Sequence, residues 1–171
     1  MSHVDYFLKI DGIDGESVQR GHEREIEVDS FSWGASNSAA GAGSGRGSGK
    51  VQFKGFNFGA ISSKASPPML LATTTGRHIK FALLTGRRPS DEGTGQDFYK
   101  VKLTDVLISS YQASAHSSLE DGMENANNNQ PMDQVSLNFA KIEFTFTSQT
   151  GLGSLGDLTT ANWDLEKDQG F

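Results

Sequence analysis

The sequence predicts a mainly β protein: a small β-barrel of two bent antiparallel sheets with one short helix on its flank. Three observations point there. Apolar residues alternate with polar ones through most of the chain, the period of a strand with one buried face. Four of the alternating runs change parity midway, which a straight strand cannot do without turning its side chains to the other face. Only one segment carries both the start and the stop signals of a helix.

The first run is Val4, Tyr6, Leu8 and Ile10, closed by the turn pair Asp11-Gly12. The second begins near Arg24 with Ile26 and Val28 and continues on the other parity with Phe31 and Trp33. Val51 and Phe53 give way to Phe56 and Phe58 across Gly55. Tyr99, Val101 and Leu103 give way to Val106 and Ile108, and Val135, Leu137 and Phe139 to Ile142, Phe144 and Phe146. A run that switches in this way bulges, bends sharply or is two strands. Repeated switches in one small domain predict long strands that turn corners, as in a barrel or an orthogonal sandwich.

The helix is predicted over about 66–75, with Ser66 at the N-cap, Pro67 at the first helical position and Gly76 at the C-cap. Met69, Leu70, Ala72 and Thr73 give it an apolar side for the barrel wall. Its threonines are poor helix formers, so packing must hold it. The β pattern resumes at His78, with Ile79, Phe81 and Leu83 expected on one face. Residues 162–165, around Trp163, are expected to add a last short strand.

The 171 residues suit one domain spanning 1–171, since a chain of about 150 residues buries roughly 70% of its unfolded surface. The absence of cysteine excludes disulfides, thiolate metal sites and a thiol nucleophile. Fifteen basic against 21 acidic residues give a formal charge of −6, which argues against nucleic acid as a partner. The start, MSHVDYFLKIDG, lacks the basic residues and apolar run of a secretory signal peptide. No window approaches the roughly 18 apolar residues of a membrane span, so membrane insertion is not expected. The expectation is a chain made in the cytoplasm, with any export by a route that needs no signal peptide.

Two stretches are too long and polar for tight turns, about 36–50 and 113–134. The first carries Gly at 41, 43, 45, 47 and 49; the second carries Glu120, Asp121 and Glu124 and then an Asn-rich run. A shorter loop is expected over 86–96. The glycine run fails as a phosphate loop, because Ser44 stands where Gly is needed and Val51 follows Lys50. His3, His22, His78 and His116 show no metal-site spacing and are expected at the surface. No nucleophile elbow is present, and the acidic loop lacks the ligand pattern of an EF-hand. No catalytic, cofactor or metal residue is therefore assigned, and no cofactor is expected. Trp33, Trp163, Phe53, Phe56 and Phe58 are expected in the core or at a barrel end. Two other classes remain open. A ligand-binding β-barrel module would gather exposed aromatics on one surface. A hydrolase would need His116 or His78 to meet a serine and a carboxylate in a cleft.

An ordered series of segments carries a more specific signal. Tyr6-Phe-Leu-Lys-Ile-Asp-Gly-Ile13, Gly15-Glu-Ser17 and Gly21-His22 lead to Glu25-Ile-Glu-Val28 and Phe31-Ser-Trp-Gly34. Ser66-Pro-Pro-Met-Leu-Leu-Ala72, Thr75-Gly-Arg-His78, Val135-Ser-Leu-Asn-Phe-Ala-Lys-Ile-Glu-Phe144 and Trp163-Asp-Leu165 follow. Over nearly its whole length the chain resembles the Hcp family, the haemolysin-coregulated tube proteins of type VI secretion systems. It departs from the family in the glycine density of 41–49.

The resemblance implies a two-sheet β-barrel with a flanking helix and no enzymatic activity. It implies homohexameric rings that stack into a tube inside a contractile sheath, with a spike protein at the tip and small effector proteins in the lumen. It implies assembly in the cytoplasm followed by export. A polar loop that orders against the next ring suits a tube that must come apart after use. The expected stacking loop is 36–50, with Ser36, Asn37, Gly41, Gly43, Gly45, Arg46, Gly47, Gly49 and Lys50 as its contact residues.

Overall fold

The computed structural model describes residues 3–38, 50–90, 93, 95–115, 130–151 and 153–171. In chain order its elements are β1 (Asp5–Ile10), β2 (Ile26–Val28), β3 (Ser30–Asn37), β4 (Val51–Ile61), α1 (Ser66–Thr75), β5 (His78–Arg88), β6 (Gln96–Ser114), β7 (Met132–Gln149) and β8 (Leu155–Asp164). The strands form one antiparallel ladder, ordered β2-β1-β5-β6-β7-β4-β3, with β8 also on β7. The first and last strands of that order, β2 and β3, are consecutive in the chain and parted only by Asp29. The ladder thus curls round into a barrel, and the Asp29 N–H donates to the Gly59 carbonyl at 2.9 Å where its ends meet. The two expected sheets are two halves of this one ladder. β7 belongs to both, with β4 beside 132–137 and β8 beside 141–149.

The parity switches are where the strands turn. In β5, β6 and β7 they lie side by side. Ile79 pairs Val106, which pairs Phe139; Ala82 pairs Leu103, which pairs Ile142. All six are buried. Between them lie Lys80 and Phe81, Thr104 and Asp105, and Ala140 and Lys141. Neighbouring strands slip together, so the ladder keeps its register and the sheet folds along this line. Asp105 takes a φ of 53°, a conformation that Asp tolerates better than most residues. β4 turns differently: Gly55 and Phe56 both face the single residue Trp33 of β3, a β-bulge.

Four local expectations are corrected. Phe81 and Leu83 do not share the core with Ile79, because β5 turns at the fold line and Ala82 and Leu84 take the inward positions. The helix N-cap is Ala65 rather than Ser66, which is the first helical residue and turns its hydroxyl inward. Of the helix side chains assigned to the barrel wall, Met69 and Ala72 are buried but Leu70 points outward, 48% exposed. Gly76 closes α1 in the left-handed region, as expected, at φ 63°. The last strand, at ten residues, is longer than expected because β7 offers it a long edge.

The core is centred on Phe56, Phe58, Leu84, Val101, Val106 and Leu137, each at most 1% exposed. At one mouth of the barrel half-buried aromatics cover it. Tyr6 meets Phe31 edge-on at 4.9 Å, Tyr99 meets Phe144 at 4.9 Å, and Trp33 meets Phe144 at 5.2 Å. The Trp33 indole N–H donates to the Tyr99 hydroxyl at 3.0 Å.

Candidate assembly surfaces

β8 has no buried face over most of its length. Residues 157–161 are exposed on both sides of the sheet, and Leu155 and Leu158 are 52% and 66% exposed. Among the described residues its outer edge makes one bridge, Asp164 to Gln169, at its very end. A second free edge is β6 over 109–114, which pairs β7 alone among the described residues. The two free edges flank β7 on opposite sides, since β6 lies on one edge of β7 and β8 on the other. Exposed backbone of this kind is a template for pairing with another chain.

Of the residues expected to contact the next ring, Ser36 and Asn37 end β3 and Lys50 immediately precedes β4. All three are exposed. Ser38 closes the base of the loop, its N–H and its hydroxyl both donating to the Lys50 carbonyl at 3.2 Å. Gly41, Gly43, Gly45, Arg46, Gly47 and Gly49 lie outside the described residues. So do His116 and the acids Glu120, Asp121 and Glu124.

Two buried polar knots brace the barrel. His22 is buried, a correction to its expected surface position. Its ring stacks on Phe7 at 4.7 Å and 5°, with Nδ1 2.8 Å from Glu25 and Nε2 3.0 Å from Asp97. It thereby pins the 13–25 segment to the start of β6. The carboxylates sit on opposite sides of the ring and do not converge on a common point. Asp133 is the second knot, 1% exposed. It accepts from Ser62 at 2.8 Å, from Tyr111 at 2.7 Å and from Ser66. These bonds tie the start of α1 to β6 and β7. Burial, with the adjacent carboxylate adding to it, pushes the Tyr111 phenol above its ordinary 10.0. Asp133 was readable as an inward acid, since it shares the parity of Val135 and Leu137. His22 sits in an aperiodic loop and left no such trace.

Two cavities bear on ligand binding. Trp33, Phe53, Ile142, Phe144, Ala161 and Trp163 line an apolar cleft of about 220 Å³ where β4 and β8 splay off β7. A groove of about 760 Å³ runs along β1 and β2, with His3, Asp5, Gln19, Arg20, Glu27 and Asp29 on its walls. His78 meets Asp105 at 2.9 Å on open surface rather than in a cleft, its side chain 72% exposed.

The family model for the type VI secretion system effector Hcp matches residues 7–146. The chain belongs to the Hcp family. Protein hcp1 of Pseudomonas aeruginosa is 31% identical over 166 residues, covering 96% of each chain. The crystal structure of Hcp1 from Salmonella typhimurium, 27% identical, matches with a TM-score of 0.77 over 98% of this chain and 99% of that one. The structure of a type six secretion system protein matches with a TM-score of 0.85 at 23% identity, over 99% and 100% of the two chains, and shows the shared fold. The Hcp barrel and its link to type VI secretion are thus established for this chain.

Proposed function

We propose that this Hcp-family chain is a structural subunit of the type VI secretion inner tube. Copies close head-to-tail into six-membered rings, the rings stack, and the lumen binds and protects small effector proteins. The subunit does no chemistry of its own. It assembles in the cytoplasm within a contractile sheath behind a spike protein and is exported without a signal peptide. The observation that carries self-assembly is β8, exposed on both faces over 157–161 with an outer edge that is unpaired before Asp164 among the described residues. A second free edge on the other flank of β7 suits a heterologous contact, in which different patches meet and a rotation closes the ring.

Multi-angle light scattering tests the ring: one species near six times the monomer mass is expected, and a monodisperse monomer at high micromolar concentration refutes it. Shortening 41–49 should leave ring mass unchanged and reduce stacked particles in electron micrographs. Unaltered stacking would remove that loop from the axial contact.

The ligand-module reading finds less support. The apolar cleft, about 220 Å³, is smaller than the roughly 300–1,000 Å³ of small-molecule sites. The larger groove is big enough, but its walls are largely polar and charged.

A further inference from the structure

At the end of the barrel where β5 passes into β6, two guanidinium groups lack a carboxylate partner among the described residues. Arg87 donates from Nη1 to the Arg20 carbonyl at 2.8 Å, and its stem passes so close to Gly95 that a Cβ there would collide with Nε. Arg88 donates from Nη2 to the Thr147 carbonyl at 3.2 Å and lies 4.6 Å over the Phe98 ring. The Nε atoms of both are buried without a hydrogen-bond partner. Neither arginine is within 4.0 Å of a described carboxylate oxygen. The two line a pocket of about 210 Å³ with His3, Asp5 and Gln19. Its described carboxylate, Asp5, faces His3 at 3.0 Å. A half-buried guanidinium gains from a carboxylate that reaches it through charge-assisted hydrogen bonds.

We propose that this pocket receives the acidic segment 120–124 of a second copy. The proposal rests on the tube reading and specifies which ends of two subunits meet. Charge complementarity selects the occupant: Glu120, Asp121 and Glu124 fall within five residues, and amide donors follow at Asn125 and 127–129. Placement selects a second copy over the same chain. The segment joins β6 to β7 at the far end of β6, nineteen residues along the strand from the pocket. The acids stand only five or six residues from Ala115 and Gln130, a reach of about 20 Å. A contact between opposite ends of identical subunits repeats along an axis. Asp91 and Glu92, which follow the arginines in sequence, lie outside the described residues.

The test uses a fluorescent peptide of residues 116–129 titrated into the full chain, read by anisotropy. Saturable binding is expected, weakening about tenfold or more between about 50 and 300 mM salt. Arg88→Glu should weaken it about tenfold or more, and a peptide with Glu120, Asp121 and Glu124 changed to lysine should bind that variant better than the original chain. The swapped pair guards against a variant that merely fails to fold. No saturable binding up to about 1 mM, or binding indifferent to Arg88→Glu and to the swap, overturns the proposal. Light scattering on the same samples separates it from the ring reading. Rings without peptide binding overturn the pocket's role alone, and binding to a chain that stays monomeric supports the pocket and overturns the ring.

Discussion

His22 shows how much one loop side chain can organise. Both of its nitrogens face carboxylates, and its ring covers Phe7. His22→Leu should keep the stacking area but leave Glu25, with its side chain 12% exposed, without a partner. The expected loss is about 2–3 kcal/mol in urea denaturation, because a buried carboxylate without its donor retains its full desolvation cost. A variant as stable as the parent would show that the stacking alone holds the 13–25 segment. Tyr111 gives the pH dependence. Burial and the nearby Asp133 favour its neutral form in the folded chain. As pH rises through the ordinary 10.0, the unfolded chain releases that proton first. Stability supplied by this group is therefore intact below that region and falls above it. Tyr99 adds in the same direction, mainly through burial, against an opposing hydrogen bond from Trp33. Absorbance near 295 nm should show tyrosines ionising late in the folded chain, and loss of the delay in Tyr111→Phe would assign it.

At the scale of elements, α1 separates what a pattern can show from what it cannot. Gly76 marked the helix end correctly and Pro67 fell within one residue of its start, because both act through local backbone geometry. Which face it buried was not local. Met69 and Ala72 meet the barrel, and Leu70 and Leu71 face out. Met69→Ala should cost about 2–4 kcal/mol, and Leu70→Ala should stay within about 0.5 kcal/mol. Equal losses in thermal or chemical melts would contradict that packing. Gly15 makes a sharper demand on the loop before β2. A Cβ there would collide with the Glu25 carbonyl oxygen, a backbone atom that cannot swing aside. Gly15→Ala should therefore loosen the loop and lower the melting temperature, with faster amide exchange confined to 13–25. The parity switches were legible because a corner leaves its mark on every residue around it. Phe81 and Leu83 were misplaced because the corner in β5 is hidden in the run from Ile79 to Leu84, where apolar residues stand on both parities.

For the whole molecule, fold and family were legible in the ordered segments, while the free strand edges of β6 and β8 were not. Periodicity reports burial inside one chain. β8 breaks the rule by being exposed on both faces, and no alternation marks it. Replacing Leu155 and Leu158 with lysine should leave the isolated subunit's stability within about 0.5 kcal/mol and reduce the ring mass in light scattering. Rings of full mass would move the contact elsewhere.

The shared fold line across β5, β6 and β7 sets a rule for change in this chain. Each of the three strands has two residues between its inward pairs, so the three behave like one reading frame. Removing Asp105 alone would straighten β6 while its two neighbours still turn, and the rungs beyond would no longer match. Loops of this chain should therefore accept a change of length one residue at a time, whereas the span around this line should accept an insertion or deletion only in all three strands together.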